Sequence, residues 1–117
     1  IKPGKKYKFG PFSIEPFFVE HSLRCPAVGY RIAAGGSLIF IAHDIISIPE
    51  RRKALRGVEA YIGDGASITR PIIRRRGKLL FGHTTIRAQI GWCKKEEVPH
   101  AIFTHCGSQI VEGDGRV

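Results

Sequence analysis

The sequence predicts an α/β (α+β) domain, a mixed and mainly antiparallel sheet of about five to seven strands with two helices on one face. Three observations carry this. The first third consists of short strand-like runs punctuated by Gly and Pro. The hydrophobic spacing changes from strand-like to helical near Ser47 and again near Thr84. The elements then fall in the order β-β-β-β-α-β-α-β.

Lys5 to Phe9 alternates charged and aromatic residues, the pattern of a half-buried strand, and Gly10-Pro11 ends it. Phe12 to Val19 continues with large apolar residues interrupted by Pro16, which predicts an edge or a bulge there. After a loop from His21 to Pro26, "AVGYRIA" (27 to 33) reads as a strand, Gly35-Gly36 as a hairpin turn, and "SLIFIA" (37 to 42) as the returning strand. Ser47-Ile48-Pro49-Glu50 fits a capping box with Ser47 at the N-cap and Pro49 in the first turn. It predicts a short basic helix from about Ile48 to Leu55, closed by Gly57. "VEAYIGDG" reads as a buried strand ending in a Gly-Asp-Gly turn, and Ala66 to Gly82 as an Arg- and Gly-rich loop. A second helix runs from Thr84 or Thr85, either of which can cap it, to about Glu96, with Ile86, Ile90 and Cys93 on one face. The strand "HAIFTH" and a glycine-rich tail complete the chain.

The bulk properties bound the function. At 117 residues the chain is one domain, and its 43% apolar and 25% charged residues are ordinary globular composition. No run is long enough to cross a bilayer and no secretory signal opens the sequence, so no membrane partner is expected. The formal charge is +9, and the excess sits in the clusters Lys5-Lys6, Arg51-Arg52-Lys53, Arg74-Arg75-Arg76 and Lys94-Lys95. Such charge attracts a polyanion such as RNA or DNA, or serves simply as a solvated surface. Cys25, Cys93 and Cys106 are an odd number without CxxC spacing, which argues against a disulfide framework or a Cys-type zinc knot and for the cytoplasm. The chain begins at Ile1 and contains no Met, which leads us to expect a processed protein or a piece of a longer one.

Polar residues recur just past the ends of apolar strands. His21 follows "FFVE", Asp44 follows "IFIAH", Asp64 follows "AYIG" and His105 follows "AIFT". Each has a plain reading alone: a loop histidine, a turn acid, a strand-capping side chain. His83 can simply enter a helix, and His100, between Pro99 and Ala101, reads as structural. His43 and Asp44 are neighbours in an extended segment and point to opposite faces, so at most one faces a common site. Together the strand-end residues suggest one shared site, because zinc takes imidazole and carboxylate ligands and two zinc ions need a bridging carboxylate.

In order and spacing, "VEHS", "PAVGYRI", "IFIAHD", "YIGDG", "GHTTI" and "IFTHCG" resemble the second half of metallo-β-lactamase-fold hydrolases, in particular the ribonuclease Z group and its phosphodiesterase relatives. The resemblance runs from about Phe9 to Gly107. It implies half of an αββα sandwich, spanning residues 1–117, and a binuclear zinc phosphodiesterase or ribonuclease Z-like enzyme that uses a metal-bound hydroxide. It implies that His21 completes the first metal site, Asp44 bridges both metals and His105 completes the second. His83 is implied as the residue that protonates the leaving oxygen, with Asp64 orienting it. Ribonuclease Z has Glu-Ala-Thr where this chain has Asp64-Gly65-Ala66, which favours the phosphodiesterase relatives as the comparison.

The family's signature, His-x-His-x-Asp-His, belongs to the first half of that fold and does not occur in these residues. With Ile1 and the missing Met, this leads to the expectation of a C-terminal half, with the N-terminal half as partner. The expected substrate is anionic: RNA, DNA or a small phosphodiester. A homo-oligomer stays open. The alternative of another class is a non-catalytic remnant or a charge-based nucleic-acid-binding module.

Overall fold

The computed structural model describes residues 3–20, 27–66, 72–76 and 79–104. Its elements are β1 (Tyr7–Phe9), β2 (Phe12–Val19), β3 (Ala27–Ala34), β4 (Ser37–Ile41), α1 (Arg51–Leu55), β5 (Ala60–Asp64), β6 (Ile72–Arg76), β7 (Leu79–His83), α2 (Ile86–Lys95) and β8 (His100–Thr104). Six strands form one mixed sheet in the order β1-β2-β3-β4-β5-β8, and β6 and β7 pair in a separate hairpin. The predicted class holds: β1 to β4 are successively antiparallel, while β4, β5 and β8 are parallel. Among the described residues, no helix is long and apolar enough to cross a membrane.

Local chemistry accounts for the elements. Gly35 and Gly36, at φ 55° and 85°, supply the two left-handed residues of the tight turn between β3 and β4. Pro16 sits inside β2 because β1 pairs only as far as Ile14, leaving the proline's missing N–H on an unpaired edge. On that same edge its carbonyl accepts the Gly4 amide at 3.0 Å. Thr85 caps α2, its hydroxyl accepting the Ala88 amide at 2.9 Å.

Two expectations need correction. The capping box at Ser47 does not form: α1 starts at Arg51, Glu50 is its N-cap without a side-chain bond, and Pro49 lies in the preceding turn. Ser47 instead forms a bridge with Glu20, whose amide takes the Ser47 carbonyl that would accept the first intrahelical bond of a helix capped there. The stretch from Ala66 to Gly82 is not all loop, since it contains β6 and most of β7. Its apolar pairs Ile72-Ile73 and Leu79-Leu80 flank the charge run and register as a hairpin.

Residues paired across strands point to the same face of a sheet. Phe17, Phe40 and Tyr61 therefore share one face, and α1 and α2 cover it with Ala54, Leu55 and Cys93 to make the core. Phe40 stacks on Tyr61 with ring centroids 6.1 Å apart. Arg31, on this face, reaches the end of α1 and donates through Nη1 to the carbonyls of Lys53 and Ala54, both at 3.1 Å, and of Arg56 at 2.6 Å. A five-residue helix is too short to persist unaided, and this cation at its C-terminus helps hold it. The other face is a different surface. Register places Phe9, Phe12, Ile14, Phe18, Tyr30, Ile32, Ile39, Ile41, Ile62 and Ile102 there, all at least partly exposed, whereas Pro16 on the same face is buried.

Candidate active site

The strand directions bring the described strand ends to one edge. Two antiparallel steps separate β2 from β4, so β2 runs the same way as β4, β5 and β8. All four end at one edge of the sheet. Asp44 lies just past β4 and Asp64 closes β5. His21 and His105 lie outside the described residues, next in sequence to Glu20 and Thr104, which end β2's segment and β8 at that edge. His83 ends β7, whose side chains are also outside the description, and the next residue, Thr84, is tied to the same edge by its amide on the Ile45 carbonyl at 2.7 Å.

Backbone bonds hold these segments together. The Glu20 carbonyl accepts the Ile46 amide at 2.6 Å, and the Glu20 amide donates to the Ser47 carbonyl at 2.9 Å. The chain leading into His21 is thereby docked on the chain leaving Asp44. Asp64 is wholly buried, its Oδ2 accepting the Ile45 amide at 3.1 Å and its Oδ1 the Ala66 amide at 2.9 Å. Asp64 thus fixes the turn that carries Asp44, a role sequence reasoning missed. Asp44 itself is partly exposed. His43 turns to β8, with Nδ1 2.9 Å from Thr104 Oγ1.

Gln89 was also missed. It is wholly buried beneath the edge, with Oε1 accepting from the Tyr61 hydroxyl at 2.7 Å and from the Asp64 amide at 2.9 Å. The signal was available: position 89 falls between Ile86 and Cys93 on the apolar face of α2, where a polar residue needs a buried partner. Burial, reinforced by the neighbouring Cys93 and Asp64, pushes the Tyr61 phenol far above its ordinary value. The phenol is therefore a hydrogen-bond donor at any physiological pH.

Among the described residues, no group of three or more His, Cys, Asp or Glu side chains is placed to hold a metal ion. Of the expected ligands only Asp44 has a described side chain.

A groove of about 780 Å³ lies at the other end of the parallel strands, lined by Arg52, Lys53, Arg56, Lys95, Glu96 and Glu97. It gathers part of the basic clusters, but two carboxylates and two helix C-termini share it and offset most of that positive charge. Arg51 lies over the Trp92 ring, 4.9 Å from its centroid, as a packing cation. Asp44 and Asp64 lie at the strand-end edge, away from this groove, and the groove is not the candidate site.

Neither a protein-family model nor a curated protein sequence matches the chain. Solved structures do. The metallo-β-lactamase-fold protein YhfI from Bacillus subtilis aligns with a TM-score of 0.70 at 15% identity, over 92% of this chain and 42% of its own. A diphosphatase of the PhnP family aligns at 0.66 and 21%, over 88% and 35%. The short form of human tRNase Z (ELAC1) aligns at 0.64 and 18%, over 88% and 39%. Zinc-bound PqqB from Methylobacterium extorquens aligns less extensively, at 0.50 and 19%, over 58% and 28%. At such identities the likeness is one of fold. The chain adopts part of the metallo-β-lactamase fold and spans well under half the length of these solved proteins.

Proposed function

We propose that this chain supplies one half of a binuclear, zinc-dependent phosphodiesterase, with an anionic substrate such as a small phosphodiester, RNA or DNA. The observation that carries the reading is the single sheet edge at which β2, β4, β5 and β8 end, in a fold shared with a diphosphatase and a tRNase. The donor types suit zinc: imidazole from His21 and His105 and carboxylate from partly exposed Asp44 would hold it. When bound, the metal pair acidifies water and stabilises charge on the phosphoryl oxygens. The chain's own residues do the rest. Asp44 contributes negative charge that fixes the cations, and His83 gives its proton to the departing oxygen. Asp64, whose carboxylate is held by the amides of Ile45 and Ala66, orients His83.

The remaining ligands come, in this reading, from an N-terminal half whose sheet packs on the apolar face that bears Phe18 and Ile102. A reducing, cytoplasmic setting suits the buried thiol of Cys93.

Metal content and turnover of the polypeptide carrying both halves test the proposal. His21→Ala, Asp44→Asn and His105→Ala lose zinc. His83→Ala keeps it and turns over about 10²–10⁴-fold more slowly, with the smaller loss on a nitrophenyl phosphodiester, whose leaving group needs no proton. Zinc retained in Asp44→Asn, or lost from His83→Ala, overturns the assignment.

A further inference from the structure

Strand β4 leaves the sheet after Ala42, whose amide donates to the Ile62 carbonyl at 2.9 Å. Two residues on, the N–H and C=O of Asp64 point to the same side and meet no strand there among the described residues. The Gln89 carboxamide takes the strand's place: Oε1 accepts the Asp64 amide at 2.9 Å and Nε2 donates to the Asp64 carbonyl at 2.7 Å. Its two other sites go to the Tyr61 hydroxyl at 2.7 Å and the Thr85 carbonyl at 3.0 Å. All four are used.

The sequence makes room for this. A Cβ at Gly63 would collide with Gln89 Oε1 and with the Tyr61 ring. One side chain thus pins the end of β5 and the start of α2, the elements that carry Asp64 and follow His83. Asp64 passes the restraint on, because its carboxylate accepts the Ile45 amide, and Ile45 in turn accepts Thr84.

We propose that Gln89 is a positioning residue of the candidate site: it holds Asp64, and through Asp64 the turn that presents Asp44. The proposal rests on Asp44 as the metal ligand, and the measurements separate the two. Backbone amide exchange of the chain, followed by NMR, is compared among Gln89→Leu, Gly63→Ala and a control, Val58→Ala. Val58 is buried at the opposite end of β5 and touches none of these bonds. At matched melting temperature, exchange at Ile45 and Ala66 quickens about tenfold beyond the control, and zinc titrated into the sample perturbs the Asp44 amide less. Should Gln89→Leu fail to fold, Gly63→Ala carries the same measurement, since it removes no polar group. Exchange at Ile45 and Ala66 that matches the control overturns the positioning role. If zinc perturbs no amide near Asp44 in the unaltered chain, the ligand reading fails, and exchange alone decides whether Gln89 sets the turn.

Discussion

The His43 imidazole, just past β4, lies 2.9 Å from the hydroxyl of Thr104 at the end of β8. The two strands are not neighbours, for β5 lies between them. Thr104 Oγ1 also lies 3.4 Å from the Gly63 carbonyl. The contact spans β5 and fixes Thr104, the residue before His105, from the side of Asp44.

Thr104→Val keeps the shape and removes the hydroxyl. It should lower stability in urea titrations by about 0.5–1 kcal/mol, the scale of one net hydrogen bond. His43→Ala combined with Thr104→Val should cost less than the sum of the two, because both delete the same bond. Strict additivity would show that the pair contributes nothing.

Alkaline pH should unfold the protein through Cys93 first. Burial pushes its thiol from 9.0 up to about 11, so the folded state favours the protonated form. The stability gained is fully present below pH 9, where the unfolded thiol is still protonated, and is lost as pH rises toward about 11. The slope is at most about 1.4 kcal/mol per pH unit. Tyr61 acts in the same direction but only above its ordinary value of 10.0. Cys93→Ala should therefore flatten the stability profile between pH 9 and 10, measured by chemical denaturation. An unchanged slope there contradicts the burial argument.

Gly29 lies under the Phe40 ring, and a Cβ there would sit 2.5 Å from Phe40 Cζ. Gly29→Ala gains about 0.4–1 kcal/mol from the stiffer unfolded chain, but overpacking costs about 1–3 kcal/mol. The net effect should be a lower melting temperature. Phe40→Leu, destabilising alone, should recover part of that loss in the double variant. A neutral Gly29→Ala would mean that the ring moves aside freely.

Much of this architecture was legible because period and punctuation agree. Phe12–Val19 was bounded correctly, and "AVGYRIA" and "HAIFTH" to within one residue, since Gly-Pro, Gly-Gly and Pro flank strongly apolar runs. Thr85 was recognisable as a cap by its place before the apolar stripe of α2. Ser47 failed for a tertiary reason: its pairing with Glu20, 27 positions away by number, overrides the local capping motif. The β6–β7 hairpin was hidden by its charge, since "RRR" reads as loop when no sheet partner is in view. At the site, residue types at strand ends were readable, but the support was not. That Asp64 holds the Ile45 amide and that Gln89 holds Asp64 depend on where β4 leaves the sheet, which no spacing records.

The last prediction concerns the uncovered face of the sheet. The exposed large hydrophobic side chains among the described residues are Phe9 at 53%, Phe12 at 47%, Phe18 at 45% and Ile102 at 54%, and register puts all four on the face away from α1 and α2. Scattered apolar residues are ordinary on a surface, but a contiguous apolar face marks a place where something packs. This chain by itself should therefore bind an environment-sensitive naphthalenesulfonate dye and self-associate in sedimentation. Phe18→Ser with Ile102→Thr should reduce both while leaving stability within about 0.5 kcal/mol, since neither side chain is buried. In a polypeptide that carries the N-terminal half, the same two changes should cost about 1.5–3 kcal/mol for each side chain, because the second sheet would now bury them. If the pair stays harmless there too, the N-terminal half does not pack on this face.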